Sequence, residues 1–201
     1  MRALITGGSG AIGQALVREF SSDYEVIFTY LNNPAEGGVK CDVTDREAVF
    51  KLVNQYPHFD LLINNAGISQ YKLFTDITVG DWERMLAVNL TGAFNVTQAV
   101  LPAMLRRKSG VIINVSSVWG EVGASCEVAY SAAKAGLTGF SKALAQEVEP
   151  SGIKVHYIAL GAVESPMNAG FSEDELLAAC PNGRILTPEE AAREIRKLTE
   201  A

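Results

Sequence analysis

Thr6-Gly7-Gly8-Ser9-Gly10-Ala11-Ile12-Gly13 is the stretch on which the fold turns. A short apolar run, Ala3-Leu4-Ile5, leads into it. Ala11 to Phe20 follows, with Ile12, Leu16 and Phe20 on one helical face. A glycine-rich loop between a buried strand and a helix lets the backbone turn tightly and approach a pyrophosphate. The helix N-terminus adds N–H donors and the positive end of its dipole. The alternative is a glycine-rich turn that holds nothing; a strand before and a helix after is the context that binding requires.

Downstream, strand and helix patterns keep alternating. Glu25 to Tyr30 reads as a strand, and a short strand ends at Cys41-Asp42. Thr44-Asp45-Arg46-Glu47 opens a helix through Val49, Leu52 and Val53, and Leu61-Leu62-Ile63 is a buried strand. Thr78 caps a long helix expected to end near Leu101, where Pro102 follows. Val111 to Val115 is a strand, Tyr130 to Val148 a helix, and Val155 to Leu160 a strand. Ser172-Glu173-Asp174-Glu175 has capping-box spacing, and Pro188 opens the last helix. Continuous apolar strands between helices imply a parallel sheet covered on both faces, a Rossmann-type doubly wound α/β fold. Six strands in the order 3-2-1-4-5-6 are expected. Leu31 to Gly38 is too short for the usual crossover helix, so a loop should make that crossing. Ligands of such sheets bind beyond the carboxyl ends of the strands.

Composition narrows the function. The chain has 201 residues, 48% of them hydrophobic and 20% charged, with a net charge of −6. An acidic balance argues against nucleic acid as partner. No apolar run reaches the roughly 18 residues of a membrane span. Met1 to Thr6 has no signal-peptide layout. Cys41, Cys126 and Cys180 suggest neither a disulfide framework nor a metal site. The expectation is one cytoplasmic unit spanning 1–201, with its site built into the fold.

Chemistry-bearing residues follow the apolar runs. Asn64-Asn65-Ala66-Gly67 comes after the Leu61 run, and Ser116-Ser117 ends the Val111 run. Asn89 interrupts an apolar helix within Val88-Asn89-Leu90-Thr91-Gly92. Tyr130-Ser131-Ala132-Ala133-Lys134 places a phenol and an ammonium at i and i+4, on one helical face. A free tyrosine, near pKa 10, is a poor acid–base catalyst at neutrality, and a nearby ammonium would lower it. Each feature alone has a structural reading: an amphipathic helix face, a turn serine, a satisfied core asparagine.

Together, in this order, these motifs resemble the short-chain dehydrogenase/reductase family over nearly the whole chain. The resemblance implies a nicotinamide-dependent carbonyl reductase or alcohol dehydrogenase. Tyr130 would transfer the proton, Ser117 hold the substrate oxygen, Lys134 tune the tyrosine and anchor the ribose, and Asn89 support a water relay. It implies cofactor contacts at Gly7, Ser9, Gly10, Ile12, Gly13, Tyr30, Asp42, Val43, Asn65, Ala66, Gly67, Tyr130, Lys134, Val163 and Ser165. For Asp42 a turn role is the alternative, and Cys126 is either a pocket wall or a small filler. Residues 168–180 correspond to a substrate lid, expected to be mobile until cofactor and substrate bind. The resemblance also implies a homodimer through the helices carrying Asn89 and Tyr130. A tetramer is less expected, because relatives continue past Ala201 into a seventh strand that serves a second interface.

Three departures bear on cofactor and substrate. No acid stands at the end of the second strand, where Thr29-Tyr30-Leu31-Asn32-Asn33 lies, so NADP(H) is favoured over NAD(H). No cation stands there either, and Gly10 occupies a position often basic in NADP-binding relatives. Leu160-Gly161 replaces the family's Pro-Gly. The resemblance implies a small carbonyl or alcohol substrate, free or attached to a carrier or protein. The chain as a whole resembles the bacterial 3-oxoacyl-carrier-protein reductases, for which Arg106-Arg107-Lys108 is either a basic docking cluster or a helix end charged for solubility alone. Ser117 to Glu127 more narrowly resembles the subgroup that reduces a 5-aminopentanone group on elongation factor P. Glu121 or Glu127 could then attract a cationic amino-ketone; the alternative is that both are solvated loop acids. A non-catalytic NADP-binding regulator is the alternative of another class.

Overall fold

The computed structural model describes residues 1–168, 170–178, 180 and 183–200. Six strands, β1 (Arg2–Ile5), β2 (Glu25–Tyr30), β3 (Val39–Lys40), β4 (Leu61–Asn64), β5 (Gly110–Ser117) and β6 (Ile153–Leu160), form one parallel sheet in the order β3-β2-β1-β4-β5-β6. Alternate strand residues enter opposite cores. Ala3, Ile5, Leu61, Ile63 and Ile113 pack with α1 (Ala11–Phe20) and α8 (Pro188–Lys197). Leu4, Leu62 and Ile112 pack with α2 (Arg46–Val53), α4 (Gly92–Arg107) and α6 (Val128–Val148). Each fully buried aliphatic side chain contributes about 1.5–3 kcal/mol, which explains why the strands read as continuous apolar runs.

No helix joins β2 to β3; Leu31 to Gly38 crosses as a loop closed by the Gly38 amide on the Ala35 carbonyl (3.0 Å). A Cβ at Gly38 would stand 2.6 Å from the Phe28 ring and 2.9 Å from that of Tyr30. β3 stops before the expected Cys41-Asp42, because Asp42 Oδ1 accepts the amide and hydroxyl of Thr44, both at 2.8 Å, and turns the chain towards α2.

The helix expected from Thr78 to Leu101 is differently built. Thr78 and Asp81 form a reciprocal capping box for α3 (Val79–Leu86). The chain then widens into a π-turn at Ala87–Thr91 and continues as α4 through Pro102 to Arg107. Val96, Val100 and Met104, all buried, carry the apolar stripe past the proline. Their burial outweighs the one ladder bond that Pro102 removes. A short helix, α5 (Trp119–Val122), was not legible in the sequence. Between β6 and α8 lies α7 (Glu173–Ala178), where Ser172 and Glu175 make the expected reciprocal hydrogen bonds.

The basic cluster at the end of α4 is not near the carboxyl ends of the strands. Arg107 pairs with Asp60, which also accepts the Arg2 amide at 2.7 Å, at the amino ends of β1 and β4. Arg106-Arg107-Lys108 therefore lies at the end of the strands opposite the crevice, and the docking role expected of it is withdrawn.

Candidate active site

Two adjoining clefts open beyond the carboxyl ends of the strands. The larger, about 620 Å³, is lined by Gly7, Ser9, Gly10, Ile12, Gly13, Tyr30, Asp42, Val43, Asn65, Ala66, Gly67 and Ser165, among others. The smaller, about 110 Å³, is lined by Asn89, Ser117, Tyr130, Lys134 and Val163. Ile12, Asn65, Gly67, Ser165 and Met167 line both. Every residue expected at the site thus faces one of two connected spaces. Cys126 is not among the described residues lining the smaller one.

The larger cleft has the shape of a phosphate cradle. Gly7 has φ +67°, and a Cβ there would lie 2.8 Å from Ala66 Cα. A Cβ at Gly13 would overlap the Gly7 carbonyl oxygen, whereas one at Gly10 would meet nothing nearer than 3.5 Å. Gly10 caps α1 without a side chain, so the first-turn amides stay available to an anion. Thr6, which the sequence reading passed over, ties the loop to the next strand end: its Oγ1 accepts the amides of Asn65 and Ala66, both at 3.0 Å. Asn65 Nδ2 donates back to the carbonyls of Thr6 (3.0 Å) and Gly7 (3.2 Å). Asn65 thus shapes the cradle through its side chain. Asp42 lines the cleft while also serving the Thr44 turn.

In the smaller cleft, β5 delivers Ser117 and α6 delivers Tyr130 and Lys134. Ser117 Oγ accepts the Trp119 amide at 3.2 Å, which fixes the hydroxyl at the mouth of α5. Lys134 Nζ lies 5.6 Å from the Tyr130 ring centroid and donates to the Val115 carbonyl at 2.9 Å. Asn89 sits inside the π-turn. Its amide donates to the carbonyls of Ile68 (2.9 Å) and Met85 (3.1 Å), and its Oδ1 accepts the Ile68 amide at 3.2 Å. A π-turn leaves a backbone carbonyl without its usual helical donor, so Asn89 marks the place where the helix yields. Gly67 separates the two groups: a Cβ there would stand 2.7 Å from Asn89 Oδ1 and 3.6 Å from Lys134 Nζ.

A family model for short chain dehydrogenases matches residues 1–176. The 3-oxoacyl-[acyl-carrier-protein] reductase of Aquifex aeolicus is 38% identical, over 96% of this chain and 77% of its own length. An acetoacetyl-CoA reductase of Shinella zoogloeoides is 37% identical, over 95% of this chain and 87% of its own length. The crystal structure of gox2181 superposes with a TM-score of 0.89 at 30% identity, covering 98% of this chain and 87% of that one. The chain is a short-chain dehydrogenase. It belongs to a family of oxidoreductases that use a nicotinamide cofactor, and the glycine cradle and its free helix N-terminus fit one.

Within this dehydrogenase the surroundings of the tyrosine favour its protonated form. Burial pushes the Tyr130 phenol up to about 12, with Glu127 adding to the rise and the nearby Ser117 hydroxyl pulling the other way. Lys134 does not offset this, because burial pushes its own ammonium down to about 8 and its Nζ is directed at a carbonyl. The protein by itself therefore holds the phenol protonated.

Glu127 is the further site residue that the sequence reading only half resolved. Of the two acids considered, Glu121 is exposed, while Glu127 is 2% exposed and lines the smaller cleft. Ser69 donates a hydrogen bond to it, and burial raises its carboxyl above the usual range. Among the described residues it has no ion-pair partner. Asn168 and Leu176, of the segment expected as a lid, reach the same wall beside Met167, and Phe171 meets Tyr71 edge-on at 5.0 Å. Ala169 and Ala179 of that segment lie outside the described residues.

Proposed function

We propose that this dehydrogenase reduces a ketone to a secondary alcohol in the cytoplasm, with NADP(H) as cofactor and Tyr130 as proton donor. The convergence of Ser117, Tyr130, Lys134 and Asn89 on a small cleft beside the phosphate cradle carries this reading. The bound nicotinamide supplies the hydride. Ser117 Oγ holds and polarises the substrate oxygen, and the Tyr130 phenol gives up its proton to that oxygen as charge develops on it. Lys134 binds the ribose and supports the phenol. Asn89 keeps a carbonyl open for the water that restores the proton. A phenol held protonated suits the reductive direction, in which it must donate. Nucleotide binding without turnover would need neither the Tyr130 phenol nor the Ser117 hydroxyl. The apolar side chains exposed on α3, α4 and α6, such as Val79, Trp82, Phe94 and Val128, suit a homodimer through those helices.

The choice of NADP(H) rests on the absence of an acid beside Tyr30 and on one added observation. Arg84 is the one cation among the described residues lining the larger cleft, and one carboxylate oxygen of the one acid, Asp42, is engaged by Thr44. Calorimetry with the two cofactors is expected to show NADP(H) binding about tenfold more tightly, the effect of roughly 1.4 kcal/mol. Tighter binding of NAD(H) would overturn the assignment.

Two substrate classes follow. The names of the relatives point to 3-oxoacyl thioesters, borne by a carrier protein or by coenzyme A. The buried Glu127 favours an amine-bearing ketone, as on modified elongation factor P, because a carboxylate in that wall is stabilised by a cation and not by an acyl chain. The discriminating pair is 4-(aminomethyl)cyclohexanone against 4-(hydroxymethyl)cyclohexanone. On the amine reading the first has the higher kcat/KM, and Glu127→Gln lowers that ratio about tenfold. An unchanged ratio returns the assignment to thioesters.

A further inference from the structure

Lys134 is gripped from three sides. Its Nζ donates to the Val115 carbonyl at 2.9 Å, and its own backbone carbonyl accepts the Ser116 hydroxyl at 3.1 Å. On the third side, Gly120 of α5 lies so close that a Cβ would stand 2.8 Å from Lys134 C, Lys134 Cβ and Ala135 N. Ser116 is 3% exposed, and its hydroxyl also meets Thr138 Oγ1 at 3.0 Å, one turn further along α6. The groups that hold the lysine thus come from β5 and α5, the segment that also sets Ser117.

Apolar packing alone would leave α6 some freedom to slide along the sheet, since dispersion contacts carry little direction. A hydrogen bond to the backbone of the lysine, together with a glycine that admits the neighbouring helix, removes that freedom at one residue. We propose that Ser116 and Gly120 are positioning residues, which fix where the Lys134 ammonium stands relative to the Tyr130 phenol and the cofactor ribose. The proposal rests on the role given above to Lys134. Ser116 lines the smaller cleft, but its hydroxyl is engaged by the Lys134 carbonyl and Thr138, so both residues act through the lysine. Displacements of about 1 Å in such a group cost on the order of 100-fold in rate, so a partial loss of the grip should be measurable without loss of the fold.

The test compares Ser116→Ala, Ser116→Thr, Gly120→Ala, Thr138→Val and Lys134→Ala. NADPH affinity is read from cofactor fluorescence, and kcat from a ketone that the wild type reduces. Ser116→Ala and Gly120→Ala are expected to weaken NADPH binding about fivefold and lower kcat about tenfold. Ser116→Thr, which keeps the hydroxyl, restores both. Thr138→Val loses the adjacent buried bond but no contact with Lys134, and moves neither. If Ser116→Ala and Thr138→Val behave alike, the hydroxyl is merely structural and the proposal falls. Should Gly120→Ala not fold, the Ser116 pair and Thr138→Val decide it. Lys134→Ala separates the two levels. If it costs affinity and rate while Ser116→Ala costs neither, only the positioning claim fails. If Lys134→Ala itself changes neither, the role proposed for Lys134 fails and the positioning claim with it.

Discussion

Tyr130→Phe is expected to lower turnover by about 10²–10⁴-fold, the usual contribution of a positioned acid–base group. The fold and NADPH affinity should persist, because one hydroxyl is lost from a half-buried side chain whose ring stays packed against α3 and the core of α6. Steady-state rates beside a thermal melt check this, and a near-wild-type rate would remove Tyr130 from the proton path. The same group sets a pH signature. With the phenol pushed up to about 12, the protonated form dominates throughout the neutral range, so ketone reduction should be nearly flat with pH. Alcohol oxidation needs the phenolate and should accelerate as pH rises, by up to about tenfold per unit below that value. Oxidation that is fastest near neutrality would show that the bound cofactor, or Lys134, lowers the phenol after all.

Gly13→Ala is expected to cost at least about tenfold in cofactor affinity, together with about 1–3 kcal/mol of stability from overpacking. The added methyl would overlap the Gly7 carbonyl oxygen and stand 2.7 Å from Gly8 Cα and 2.9 Å from Gly7 C. These are backbone atoms of the cradle itself and cannot move aside as a flexible side chain can. Gly10→Ala is the matched control in the same loop, since its Cβ would meet only the Gly7 oxygen, at 3.5 Å. Calorimetry on the two variants should separate them clearly. Wild-type affinity in Gly13→Ala would mean that the loop does not hold the pyrophosphate.

How much was legible beforehand depended on where the information lay. The strands were, because both faces of a parallel sheet are covered and Leu61-Leu62-Ile63 cannot be anything but buried. The missing crossover was also legible, as a matter of chain length between Tyr30 and Val39. The π-turn was not: Asn89 marked a perturbation, yet the widened ladder and the passage through Pro102 depend on the apolar stripe outlasting both. The four groups of the smaller cleft could be found from spacing and resemblance. The electrostatics could not, since the i, i+4 spacing of Tyr130 and Lys134 says nothing of a lysine whose Nζ is directed at the Val115 carbonyl and whose ammonium is pushed down to about 8 by burial. Glu121 and Glu127 looked alike in sequence because burial is a property of the turn that ends in α6. The position of Arg107 against Asp60 is likewise set by the return of α4 to the amino ends of the strands.

The central claim is that hydride reaches a ketone carbon in the cleft where Ser117 and Tyr130 meet. Its most direct test is transfer from NADPH deuterated at the reactive carbon of the nicotinamide, with acetoacetyl-CoA and the amine-bearing and neutral ketones as acceptors and mass spectrometry of the alcohols as readout. One deuterium is expected on the carbinol carbon of at least one product with the wild type, and its near absence with Tyr130→Phe. Tight NADPH binding with no deuterium in any product would contradict it and leave a nucleotide-binding protein without turnover.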